Sequence, residues 1–132
     1  MFYVIGLATG IVSFFVGCIW YTALFGRAWQ KGMDFTDEKV KSIFKPRRII
    51  VAVISELIAA LCTVGILYNL PGQIPLLVRA VMLIAVVVGS GVKLAIFDGK
   101  KAGVILINEG YKIVSILLFF AGLALFGKYI QF

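Results

Sequence analysis

Residues 49–70 read IIVAVISELIAALCTVGILYNL, an apolar run broken by one charge, Glu56. At a rise of ~1.5 Å per residue, a helix of this length is about as long as a bilayer's hydrocarbon core is thick. The same pattern recurs on either side. Residues 2–25 form an uncharged run, 76–97 a run with Arg79 near its start and Lys93 near its end, and 104–126 a run carrying Asn108, Glu109 and Lys112. Four runs of this kind predict an all-α polytopic membrane protein, an up-down bundle of four transmembrane helices. It forms a single membrane domain over residues 1–132.

Composition leads to the same architecture. Hydrophobic residues are 62% of the 132-residue chain, against roughly 45–50% in a soluble domain. Four spans of roughly 20 residues absorb most of that inventory and leave little outside the lipid. A soluble globular domain, a disordered chain, a disulfide scaffold and a large multidomain enzyme are excluded. The N-terminus lacks a basic residue ahead of its apolar run and a clean small-residue cleavage pattern, so it reads as a retained span. Cys18 and Cys62 fall at different depths in separate spans and read as unbridged apolar residues.

The net charge is +7. In an apolar chain such an excess orients spans and meets anionic headgroups, and nothing in its placement suggests a nucleic-acid groove. The loop over residues 26–48 carries Arg27, Lys31, Lys39, Lys41, Lys45, Arg47 and Arg48, and the turn over 98–103 adds Lys100 and Lys101. The opposite side has only Arg79 and Lys128 nearby. The positive-inside rule places both basic segments in the cytoplasm and both termini outside, in a multi-pass protein of the cytoplasmic membrane.

Within the basic loop, Thr36 suits an N-cap, and Asp37 and Glu38 suit the positive end of a helix dipole. Phe35 and Val40 have the spacing of a hydrophobic staple, and Pro46 closes the segment. This predicts a short amphipathic helix on the membrane surface, with a solvated basic loop as the alternative. Trp20, Tyr21, Phe25 and Trp29 form an interfacial aromatic cluster at the end of the first span, and Lys128, Tyr129 and Phe132 close the chain at the other interface.

Charges inside a span are costly and point to function. Helical rise places Glu56, Lys93, Glu109 and Lys112 all in the inner half of the membrane. Glu109 and Lys112 are three apart, and Asn108 and Lys112 four apart, so they share a face. Glu56, Lys93, Asn108, Glu109 and Lys112 are therefore a candidate intramembrane polar site. Buried glue between helices is the competing reading, and snorkelling is a further one, for Lys93 above all and also for Arg79. Gly6, Gly10, Ser13 and Gly17 form a small-residue stripe for close helix packing, within the chain or between subunits. A weak similarity between the two hairpins, Phe25-Gly26-Arg27 against Phe97-Asp98-Gly99-Lys100, is matched by chance as an explanation.

The chain has no histidine, no phosphate-cradling Gly-Lys-Ser/Thr loop and no metal-ligand cluster. The reading assigns no catalytic residue, cofactor or metal. The leading expectation is a protein that permeates or binds a small solute or ion, assembled as a homo-oligomer in the bilayer. The alternative is a structural or regulatory subunit acting through helix contacts with a partner. An enzyme acting on lipid has least support.

The stretch from Gly17 to Trp29, GCIWYTALFGRAW, resembles the Gly-x-x-Trp-Tyr-x-x-x-Phe-Gly-Lys-x-Trp signature of the DUF1761 family, small four-span membrane proteins of unknown function. Residues 97–111, with Ile107-Asn108-Glu109-Gly110-Tyr111, resemble that family's second characteristic region. Where members often carry histidine after Gly-Tyr, this chain has Lys112. The resemblance implies the four-span architecture and draws attention to both basic helix ends. It implies no reaction.

Overall fold

A computed structural model describes residues 2–128; Tyr129 and Phe132, expected at an interface, lie outside the described residues. The described chain is helical, with no strand. Four of its helical stretches are long and apolar enough to cross a membrane: Phe2–Leu24, Pro46–Asn69, Leu76–Phe97 and Ala102–Phe126. The first consists of α1 (Phe2–Ile19) and a π-helical turn (Trp20–Leu24), closed by a bond from Phe25 N to Trp20 O of 2.9 Å.

Two short helices follow, α2 (Gly26–Gly32) and α3 (Asp37–Ile43), then the long helices α4 (Pro46–Asn69), α5 (Leu76–Phe97) and α6 (Ala102–Phe126). The amphipathic signal corresponds to α3: Thr36 Oγ1 accepts from Lys39 N at 3.2 Å as its N-cap. Pro46 does not close α3, which stops at Ile43. It opens α4 earlier than the expected Ile49, at the first-turn position where its missing N–H goes unneeded. Sequence reasoning missed α2. Its Gly32 lets it settle on α6, since a Cβ there would lie 2.5 Å from Val104 Cγ2.

α1 packs most extensively on α4 and also on α6, while α5 packs on α6 and barely touches α4. The small-residue stripe of α1 explains these approaches. A Cβ on Gly6 would come 3.1 Å from Leu61 Cα, and one on Gly10 2.8 Å from Ala60 Cβ, so both glycines admit α4. A Cβ on Gly17 would lie 2.7 Å from Tyr111 Oη of α6. The stripe is thus taken up by packing inside the chain.

The two ends of the bundle are built differently. Around the Pro71 turn, Ile5, Ala60, Val64, Leu67, Ala80, Phe119 and Leu123 form a continuous buried core. Arg79, expected to snorkel, is buried there instead. Its Nε donates to Ile74 O at 2.7 Å, Nη1 to Leu67 O at 2.7 Å and Nη2 to Pro71 O at 2.9 Å. A helix end leaves carbonyls without partners, and one guanidinium fork satisfies those of α4 and its turn together. At the other end the basic loop folds over the bundle, tied to the 98–101 turn by Lys101 Nζ and Asp34 Oδ2 at 3.2 Å. The outer faces carry exposed Phe15, Val86, Phe97 and Leu106, the surface expected against lipid.

Candidate functional site

Among the described residues, Ser13, Arg79, Glu109 and Ser115 are the buried polar or charged side chains. Apart from Arg79, they belong to two separate groups, Ser13 and Ser115 near the middle of their helices and Glu109 nearer the basic end of α6.

The first group centres on Ser13, which is completely buried. Its Oγ donates to Glu56 Oε1 at 2.5 Å and lies 2.8 Å from Ser115 Oγ. A serine hydroxyl has one proton and a carboxylate is the strongest acceptor within reach, so the Ser115 hydroxyl turns to donate to Ser13. Tyr111 Oη donates to the backbone carbonyl of Ser13 at 2.9 Å. Ser13 therefore joins α1, α4 and α6 through hydrogen bonds. Glu56 has no cationic partner: among the described residues, the ion pairs are Lys101 with Asp34 and Lys112 with Glu109.

Above Glu56, toward the basic end, is a cavity of about 590 Å³. Phe14, Tyr21, Trp29, Phe44 and Tyr111 give its walls an aromatic character, and Arg48 and Lys100 also line it. The π-helical turn helps build this wall. One extra residue in the turn shifts the helix phase, and two consecutive aromatics, Trp20 and Tyr21, both reach α6. Trp20 Nε1 donates to Ile107 O at 2.9 Å, with its ring against Gly110, where a Cβ would lie 3.1 Å from Trp20 Cζ2. Tyr21 Oη donates to Asn108 Oδ1 at 2.8 Å. Its ring meets those of Tyr111 at 5.7 Å and Trp29 at 5.6 Å, and Trp29 meets Phe35 at 5.5 Å. The aromatic cluster thus runs as a chain of edge contacts from the basic loop to the buried serine.

The second group lies on another side of α6. Lys112 Nζ donates to Glu109 Oε1 at 2.9 Å, and the pair rests against bare backbone of α5 at Gly91, where a Cβ would lie 2.5 Å from Glu109 Oε1. Glu109 is 7% exposed, and its Oε2 is buried without a hydrogen-bond partner. A smaller cavity of about 360 Å³ adjoins the pair. Tyr21, Lys100, Asn108 and Tyr111 line both cavities and so form the partition between them.

The sequence-derived polar site is therefore divided. Glu56 faces the larger cavity, Glu109 and Lys112 the smaller, and Asn108 stands in the wall between them. Lys93 is exposed and joins neither group. Helix geometry accounts for the division: at about 100° per residue, Glu109 points well round from Asn108, Tyr111 and Ser115. Sequence reasoning missed Tyr111 and Ser115 as partners of Ser13. Their spacing of four on a face shared with Asn108 was the available signal. Among the described residues, no group of acidic and sulfur side chains could hold a metal ion.

The model of a family described as "Protein of unknown function (DUF1761)" matches residues 4–126. No curated protein and no solved structure matches the chain.

Proposed function

From the premise that the chain belongs to the DUF1761 family, whose description names no activity, we propose that it is an integral membrane protein that binds a small solute or ion in the larger cavity and admits it from the basic end of the bundle. The observation that carries this reading is Glu56: a carboxylate within a span, bound on one oxygen by Ser13, without a cation among the described residues, lining a cavity of about 590 Å³. An unpaired charge in a span is costly, so its retention calls for a ligand that uses it. The volume is within the range of small-molecule sites, roughly 300–1,000 Å³. The basic excess at that end supports a cytoplasmic position under the positive-inside rule, and in this reading the cavity opens inward.

The alternative, a subunit acting through a partner, drew on the small-residue stripe and on the aromatic-rich segment from Trp20 to Trp29. Gly6, Gly10, Ser13 and Gly17 face α4 and α6 of the same chain, which removes the first of these supports.

Cys18 lines the cavity and is a free thiol, which provides a direct test. In a Cys62→Ser background, small cationic and anionic thiosulfonates of equal size would be compared for their rate of modifying Cys18. The cationic reagent is expected to react faster, and Glu56→Gln to remove that preference. An unreactive Cys18, or a preference unchanged by Glu56→Gln, would overturn the reading.

A further inference from the structure

The larger cavity also has a charge order that specifies what fits it. At its inner end is Glu56, an anion without a cation among the described residues. At its outer end are Arg48 and Lys100, both exposed and neither in an ion pair with a described residue. Arg48 and Glu56 are separated by about 12 Å of helix rise. Between them are aromatic rings. The complement of this arrangement is one molecule with a cationic group pointing inward and an anionic group pointing outward.

The walls also distinguish between kinds of cation. A primary ammonium has three N–H donors and needs acceptors for them. Here Asn108 Oδ1 already accepts from Tyr21 and Glu56 Oε1 from Ser13, which leaves Glu56 Oε2 as the carboxylate acceptor for three donors, while Phe14, Tyr21, Trp29, Phe44 and Tyr111 offer rings. A quaternary ammonium donates no hydrogen bond and is held by ring faces and a nearby carboxylate. The outer group must suit a guanidinium and an ammonium, which a phosphate or carboxylate does.

Resting on the solute-binding reading above, we propose that the ligand is a small free zwitterion in which a quaternary ammonium is joined by a short chain to a phosphate or carboxylate. The ammonium sits among the rings beside Glu56, and the anion sits between Arg48 and Lys100. A zwitterionic lipid headgroup has the reverse order. Its phosphate lies nearer the membrane interior than its ammonium, so a lipid entering from the bilayer would set its phosphate toward Glu56.

The test is calorimetric titration of the full chain, purified in a maltoside detergent free of choline lipids, with four probes. These are phosphocholine, choline, 3,3-dimethylbutyl phosphate (carbon in place of the charged nitrogen) and a short-chain phosphatidylcholine. Phosphocholine is expected to bind at least tenfold more tightly than choline or the uncharged-carbon analogue, and the lipid to bind no better than choline. Arg48→Gln should reduce phosphocholine affinity at least fivefold and leave choline unchanged, and Glu56→Gln should weaken both. Equal affinities for phosphocholine and choline, insensitive to Arg48→Gln, would overturn the zwitterion and leave a simple cation site. Tightest binding by the lipid would overturn the free solute. Absence of binding by a chain with a cooperative thermal transition would overturn this inference alone if Cys18 keeps its Glu56-dependent charge preference, and the underlying reading too if it does not.

Discussion

Replacing Ser13 with alanine tests the junction on which the larger site is built. The change removes one oxygen from a completely buried position and leaves the backbone carbonyl that Tyr111 uses, so little volume is lost. Three side-chain contacts disappear: a bond to Glu56 at 2.5 Å, one shared with Ser115 at 2.8 Å, and a long one to Tyr111 Oη at 3.5 Å that adds little. A bond to a charged group contributes about 1.5–3 kcal/mol. Side-chain bonds between transmembrane helices average about 0.6 kcal/mol. Ser13→Ala should therefore cost about 2–3.5 kcal/mol, and Ser115→Ala only about 0.6 kcal/mol. Reversible unfolding by sodium dodecyl sulfate in mixed micelles, followed by circular dichroism, measures both. A double-mutant cycle apportions them: coupling of Ser13 to Glu56 should exceed its coupling to Ser115 at least twofold. If Ser13→Ala stays within about 0.5 kcal/mol of the parent, or the Ser13–Glu56 coupling is nil, Ser13 is merely a small residue and the reasoning fails.

Arg79→Met retains an apolar stem but leaves the carbonyls of Leu67 and Ile74 without their guanidinium donor and Pro71 O with only Ile74 N, so a loss of about 3 kcal/mol is expected in the same unfolding assay. An unaltered midpoint would mean that the guanidinium can reach water and was never the cap. Gly91→Ala would put a Cβ 2.5 Å from Glu109 Oε1 and 2.6 Å from Lys112 Nζ, both ends of flexible side chains. The pair should give way while the helices stay in place, costing under about 1.5 kcal/mol while raising the rate at which Lys112 is acetylated. A larger loss with Lys112 still protected would show that the helices move apart instead.

Hydropathy made the four long helices legible, because a run such as Ile49–Leu70 has few other uses. The stripe on α1 was legible as a packing face, since Gly6, Gly10, Ser13 and Gly17 fall on one side at helical spacing. What could not be read was the direction each face takes in the bundle. Depth alone put Glu56, Glu109 and Lys112 together, but depth is one coordinate of three. The azimuth of α6 sends Glu109 to Gly91 of α5 and Ser115 to Ser13 of α1. Arg79 was misread for a related reason. Proximity to a helix end allows a long side chain either to reach the interface or to fold back, and the unsatisfied carbonyls around Pro71 decide for folding back. The π-helical turn at Trp20–Leu24 has no composition of its own, and only the bond from Phe25 to Trp20 reveals it.

The contrast between the two intramembrane acids bears on how the chain enters a bilayer during its synthesis. Glu109 has its lysine three residues away on the same helix. α6 can therefore leave the ribosome and partition sideways into lipid as an electrically neutral unit, needing no help from earlier segments. Glu56 has no such companion on α4, and its donor, Ser13, belongs to α1. Because α1 emerges first, that donor is already waiting when α4 arrives, and the two can insert as a hairpin. Transposing the segments, or producing α4 without the residues before it, would strand a carboxylate in hydrocarbon. The order of the helices along the chain is thus a condition of delivery as well as of architecture.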